Sequence, residues 1–265
     1  MATPSPCPTQ LAHLATLDTA ALALEIAQPA RLVLSVAHHG AAELTEVWAP
    51  FDHINTGARL AIVGLTPGRQ QMAAALKACH AALHAGRPPE EAQAVAKAHA
   101  SFAGPMRSNL VALLDDLGLA GALGLRSTAA LWGEAGQAVH FTSALRYPVL
   151  RNGRNWSGNP GPMAVPMLRQ RIETTLVSEL AALPQDCWIV PLGPVATAAC
   201  LHAAARVDID RRRVLAGLPH PSGANAERIA VFLGRKRPEA ASRQTDPRRL
   251  LAAREQLLGQ VRRIA

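Results

Sequence analysis

Arg59-Leu-Ala-Ile-Val-Gly-Leu-Thr-Pro-Gly68 is a short apolar run closed by a Gly/Pro turn. A run apolar on both faces and cut off by turn residues reads as a strand buried on both sides, the kind found in parallel sheets. Such a strand presents the loop at its C-terminal end to a ligand. Further along, Ala138 to Ala144, Cys187 to Leu192 and Arg213 to Leu218 read as strands. Helical patterns lie between them, at Met106 to Leu117, Ala164 to Leu183 and Val195 to Ala205, and another runs from about Ala224 to Leu233. Residues 70–100 predict two Ala-rich helices broken at Gly86-Arg-Pro-Pro89, the second opened by Pro89, Glu90 and Glu91. The alternation predicts an α/β fold, a three-layer α/β/α sandwich around a central, mostly parallel four-stranded sheet.

At 265 residues the chain suits a single domain. Residues 1–58 are expected as an N-terminal helical extension, with Leu11, Leu14, Leu17, Leu22, Leu24 and Ile26 at helical spacing. Residues 59–236 form the expected core, and 237–265 a basic C-terminal tail closing with a helix from Pro247. Aromatics make up only 3% of the chain, so the core must rest on Leu, Ala and Val.

The formal charge is +8, from 27 Lys+Arg against 19 Asp+Glu, and Lys77, Lys97 and Lys236 are the only lysines. Arginine grips phosphate bidentately, which fits a nucleic-acid partner, but an Ala- and Arg-rich composition also follows from genomic base bias. Cys7, Cys79, Cys187 and Cys200 show neither zinc-ligand spacing nor a disulfide framework, and read as reduced, buried thiols. No apolar run reaches membrane-spanning length and the N-terminus lacks a secretion signal, so a cytoplasmic location is expected.

Four segments, in order, carry a resemblance. They are Ile62-Val-Gly-Leu-Thr-Pro-Gly68, Phe102-Ala-Gly-Pro-Met-Arg107, Pro191-Leu-Gly-Pro-Val-Ala196 and Leu218-Pro-His-Pro-Ser-Gly-Ala-Asn225. Together, over about Arg59 to Lys236, they resemble the uracil-DNA glycosylase superfamily. The resemblance implies a DNA glycosylase that rotates a nucleotide out of the stack and hydrolyses its N-glycosidic bond. It implies a base pocket of Gly64, Leu65, Gly68, Phe102 and Ser143, with Phe102 as the stacking platform, although an ordinary core phenylalanine is the competing reading. His220 would donate to the departing base, Thr66 would hold water, Ser222 would bind phosphate, and Gly223, Ala224 and Asn225 would enter the stack. Arg151, Arg154 and Trp156, in a Gly/Asn/Arg-rich loop, are candidate DNA contacts or an ordinary surface loop. No cofactor and no metal are implied, since the cysteine spacing does not match the iron–sulfur site of some relatives. A monomer acting on DNA, away from membranes, is expected.

Three departures from the family pattern bear on substrate. Thr66 stands where several relatives carry Asp or Asn; Asp52 and His53, just upstream of the strand, are stand-ins for water activation. Ser143 replaces the asparagine that selects uracil, and Gly68 replaces a tyrosine that excludes groups on carbon 5 of the pyrimidine. These changes suggest a modified, 5-substituted pyrimidine such as phages place in their genomes, with uracil next, hence a role in DNA repair or antiviral defence. The loops hold no lysine, so a monofunctional enzyme is expected. A catalytically silent lesion binder on the same fold is the alternative, whereas an α/β hydrolase would need a G-x-S-x-G elbow that the chain lacks.

Overall fold

A computed structural model describes residues 8–207 and 209–263. Its elements are α1 (Pro8–Thr16), α2 (Thr19–Ala27), β1 (Val33–His39), β2 (Ala42–Val47), β3 (Leu60–Gly64), α3 (Arg69–His84), α4 (Pro89–Ala100), α5 (Pro105–Asp116), α6 (Leu119–Ala122), β4 (Val139–Ser143), β5 (Val149–Arg151), β6 (Arg154–Asn155), α7 (Pro166–Arg171), α8 (Val177–Ala181), β7 (Trp188–Pro191), α9 (Pro194–Ala204), α10 (Ala226–Phe232) and α11 (Pro247–Arg262). A π turn over Ile172–Leu176 joins α7 to α8. The chain is α/β, as expected, but its described residues form two sheets where one was expected. It divides into two compact units, one of residues up to Ile54, Thr66–Ser101 and Thr142–Leu176, the other of Asn55–Leu65, Phe102–Phe141 and Val177 onward. The division cuts through the stretch 59–236.

The first unit is built on an antiparallel sheet in the order β1-β2-β5-β6. Its strands β1 and β2, paired His39↔Ala42 to Val33↔Val47, lie within the stretch expected as an N-terminal helical extension. The correction has a local cause. Gly40, at φ +58°, opens a two-residue turn that suits the twist of a hairpin, and β2 alternates buried Ala42, Leu44 and Glu46 with Glu43 and Thr45. Strands β5 and β6 turn through Asn152 and Gly153, both at positive φ, the Asn-Gly pair that such a turn favours. Buried alanines of α3 and α4 join Trp48, Met72 and Leu76 in this unit's core.

The second unit holds the sheet in the order β4-β3-β7, with β3 and β7 parallel from Leu60↔Trp188 to Val63↔Pro191. Every residue of both strands is buried, which explains their unbroken apolar sequence. The fourth strand expected at Arg213 to Leu218 is reduced to one parallel bridge, Ile189↔Val214, with Leu215 N donating to Ile189 O at 2.8 Å. Arg211–Arg213 take a 3-10 turn, and Gly217 at φ +122° bends the chain away.

Helix α11 starts at Pro247 as expected, but it is docked. Leu257 and Val261 enter the unit's core, and Arg254 grips Asp116 of α5 with Nε at 2.7 Å and Nη2 at 2.9 Å. A Cβ on Gly217 would stand 3.0 Å from Ala253 Cβ, so glycine lets α11 pack against the backbone three residues before His220. Cys79, Cys187 and Cys200 are free and buried, their thiols pushed up to about 12 by burial, while Cys7 lies outside the described residues. No helix among the described residues is long and apolar enough to cross a membrane. A Leu257→Ala substitution should cost about 2–5 kcal/mol of unfolding free energy in urea titrations. A detachable tail would give no measurable change.

Candidate active site

In the second unit the parallel strands bring three loops to one edge of the sheet. Gly64-Leu65 leaves β3, Leu192-Gly193 leaves β7, and the chain after the Val214 bridge runs to His220. Gly193 N donates to Leu218 O at 3.0 Å, which ties the second loop to the third. Gly193 sits at φ 82°, ψ 169°, a region open to glycine alone, and a Cβ there would meet His220 Cβ at 3.3 Å. The loop after β7 is therefore shaped around the histidine.

His220 is half-buried, and its Nδ1 accepts from Ser222 N at 3.3 Å. An accepting Nδ1 leaves the ring proton on Nε2, and burial pushes the imidazole below its ordinary value of 6.5. His220 thus stands as a neutral, one-proton donor. Asn109 of α5 donates to Pro221 O at 2.9 Å and holds the loop from behind. The Ser222 hydroxyl accepts from Asn225 Nδ2 at 3.1 Å, and Asn225 Oδ1 accepts from Arg228 at 2.7 Å. Gly223 and Ala224 are exposed, so the free tip is these two residues, with Asn225 bonded into the loop's base.

Phe102 carries a positive φ of 51°, a strained setting for a bulky residue. Its ring is only 5% exposed and meets Phe141 edge-on at 5.9 Å. Trp132 stacks on Phe141 at 4.8 Å, and Arg107 lies over the Trp132 ring at 5.2 Å. Of these three rings Trp132 is the least covered, and no sequence pattern marked it.

The first unit holds the remaining expected residues. Thr66 Oγ1 donates to Tyr147 O and accepts from Val149 N, each at 3.0 Å, so its one proton is committed to the backbone. The hydroxyl keeps a single lone pair for water. Gly68 N donates to Gln71 Oε1 at 3.0 Å, and Arg69 N to Asn155 Oδ1 at 2.9 Å, which caps α3. A Cβ on Gly68 would lie 3.5 Å from Asn155 Nδ2, so the amide fills the room beside the glycine. Ser143 is half-buried at the end of β4. Arg151 and Arg154 face each other as exposed residues across the β5–β6 turn, with Arg151 donating to Asn159 O at 3.0 Å. Trp156, expected beside them as a contact, is 4% exposed and belongs to the interior.

Asp52 is buried, and its carboxylate accepts from Trp48 Nε1 at 3.1 Å and from the Tyr147 hydroxyl. Burial raises its carboxyl above the usual range, opposed by these hydrogen bonds and by the charges of Arg146 and Lys97. Both oxygens are engaged with protein. His53 is exposed, and its carbonyl accepts from Lys97 Nζ at 2.7 Å.

Two measurements probe the loops. Gly193→Ala should lower stability by about 1–3 kcal/mol, because alanine must take a glycine-only conformation, and should shift the His220 ring resonances. The unfolded chain binds a proton near pH 6.5 that folded His220 refuses, so stability falls as pH drops through that value. His220→Gln should flatten this fall between pH 7 and pH 5 in denaturant titrations, and an unchanged slope would place the imidazole in solvent.

No protein-family model matches the chain, and no solved structure does. Over 196 residues it is 34% identical to the uncharacterized protein YoxB of Bacillus subtilis (strain 168), covering 73% of this chain and 77% of that relative. The chain belongs to the YoxB family.

Proposed function

We propose that the protein is a monofunctional DNA glycosylase of the uracil-DNA glycosylase type, acting on a flipped pyrimidine, with a modified, 5-substituted base as the favoured substrate. The observation that carries this reading is the hydrogen bond from Ser222 N to His220 Nδ1, which leaves a neutral Nε2–H donor at the C-terminal edge of a parallel sheet. In the reaction the C1′–N1 bond breaks and its electron pair leaves with the base. Charge gathers on the pyrimidine O2, where a hydrogen bond from His220 would stabilise it, while water adds to C1′ and the proton it loses passes through solvent to the departed base, which leaves as the neutral pyrimidine. Losing such a donor costs on the order of 10²–10³ in rate.

The sheet supports the finer architecture. In chain order its members are β3, β4, β7 and the Val214 bridge, and their spatial order is β4-β3-β7-Val214. This suits the three-layer α/β/α sandwich inferred from the sequence. Trp132, stacked on the buried Phe141, offers a partly exposed aromatic ring in the unit that holds His220. Ser143, a hydroxyl in place of an amide, can donate or accept and so relaxes the selection for uracil.

A second reading, a silent lesion binder, is favoured by one observation. Thr66 gives its proton to Tyr147 O and so offers no general base. Oligonucleotides carrying uracil, 5-hydroxymethyluracil, 5-hydroxymethylcytosine or glucosylated hydroxymethylcytosine separate the two. Alkali-labile abasic sites should appear with a 5-substituted base and fall by about 10²–10³ in His220→Ala. Binding without cleavage on every substrate would favour the binder, and efficient release of uracil alone would overturn the substrate class.

A further inference from the structure

The segment from Arg235 to Arg249 is tied to the His220 loop through two side chains of the α10 region. Glu227 gathers four donors, Lys236 Nζ at 2.6 Å, Ser242 N at 3.1 Å, Ser242 Oγ at 2.5 Å and Thr245 Oγ1 at 2.6 Å. These bonds hold its carboxyl far below the usual range. Next to it, Arg228 uses one planar guanidinium for two tasks: Nη1 donates to Asn225 Oδ1 at 2.7 Å and Nη2 to Gln244 O at 3.2 Å. One side chain therefore joins the base of the Ser222–Asn225 loop to the middle of the basic segment.

What the segment presents is charge. Arg235, Arg237, Arg243, Arg248 and Arg249 are exposed, and none has a carboxylate partner among the described residues. Nearby carboxylates are few: Glu239 is exposed, and Asp246 accepts from Arg249 N at the start of α11. Exposed large hydrophobic residues occur at Leu24, Val36 and Val95, none of them here. Protein partners dock on apolar and aromatic anchors with a polar rim, whereas polyanion-binding surfaces carry spaced guanidinium groups without such anchors.

We infer that the Arg235–Arg249 segment is a phosphate-backbone-binding surface for nucleic acid, held beside the His220 loop by Glu227 and Arg228. It extends the proposed function and rests on that reading for the choice of DNA. Its own contribution is to affinity, independent of sequence and of the base released.

The test measures binding of an unmodified duplex oligonucleotide by fluorescence anisotropy between about 50 and 200 mM salt. Each phosphate contact contributes about 0.9 to the slope of log affinity against log salt. The triple variant R237Q/R243Q/R248Q, altered only at exposed positions, should lose about 2 to 3 of that slope. E227Q keeps every arginine but loosens the segment, and should lower the slope as well. Wild-type slope in both variants, or wild-type protein that binds polyglutamate and not DNA, would overturn the inference. A reduced slope in a protein that releases no base would sink the glycosylase reading and leave this surface standing. Base release with an unchanged slope would do the reverse.

Discussion

Burial of β3 and β7 on both faces is the constraint on which the second unit depends. Every residue from Leu60 to Gly64 and from Trp188 to Pro191 is buried, so neither strand can carry a polar side chain into the sheet. Chemistry is displaced to the loops at the strand ends, where backbone groups must find partners within a few residues. Gly193 N finds Leu218 O, and Ser222 N finds the His220 ring. The sheet fixes the loops, and the loops fix a tautomer.

That chain of cause explains which parts of the fold were legible in the sequence. Leu60-Ala-Ile-Val63 reads as a buried strand, and the helices from Pro89 and Pro247 announce themselves with proline in the first turn. The antiparallel sheet was less visible because its alternation mixes classes. Buried Glu46 sits where an apolar residue would be expected, satisfied by Ser35 and Arg171, and Val36 is 50% exposed. Even so, the Gly40 turn and the Asn152-Gly153 pair were readable hairpin signals. The strand at Arg213 to Leu218 fails for the opposite reason: its β-compatible Val214-Leu-Ala216 core is flanked by an arginine turn and by Gly217, which bends to admit α11.

Of the candidate site, the sequence gives residue identity but not commitment. Thr66 and Asp52 have the right chemistry for handling water, and both are occupied with protein groups, Thr66 with Tyr147 O and Val149 N, Asp52 with Trp48 and the Tyr147 hydroxyl. Asn225 has a tip residue's composition, yet it braces Ser222. Trp132 and Asn109 show the converse. Neither belongs to a motif, and only the fold brings Trp132 onto Phe141 and Asn109 onto Pro221 O.

When a glycosidic bond breaks far ahead of nucleophilic attack, the sugar cation is electrophilic enough to take water without strong base help, so a glycosylase's leverage lies in stabilising the departing anion. A neutral imidazole suits that task, because it adds a hydrogen bond without the desolvation cost of a buried cation. On the proposed reading, a committed Thr66 is therefore no obstacle to catalysis, since the histidine loop carries the demanding part of the reaction. The ring's setting comes from a backbone N–H on Nδ1, from Asn109 of α5 on the Pro221 carbonyl, and from a glycine whose missing Cβ leaves room for the His220 Cβ.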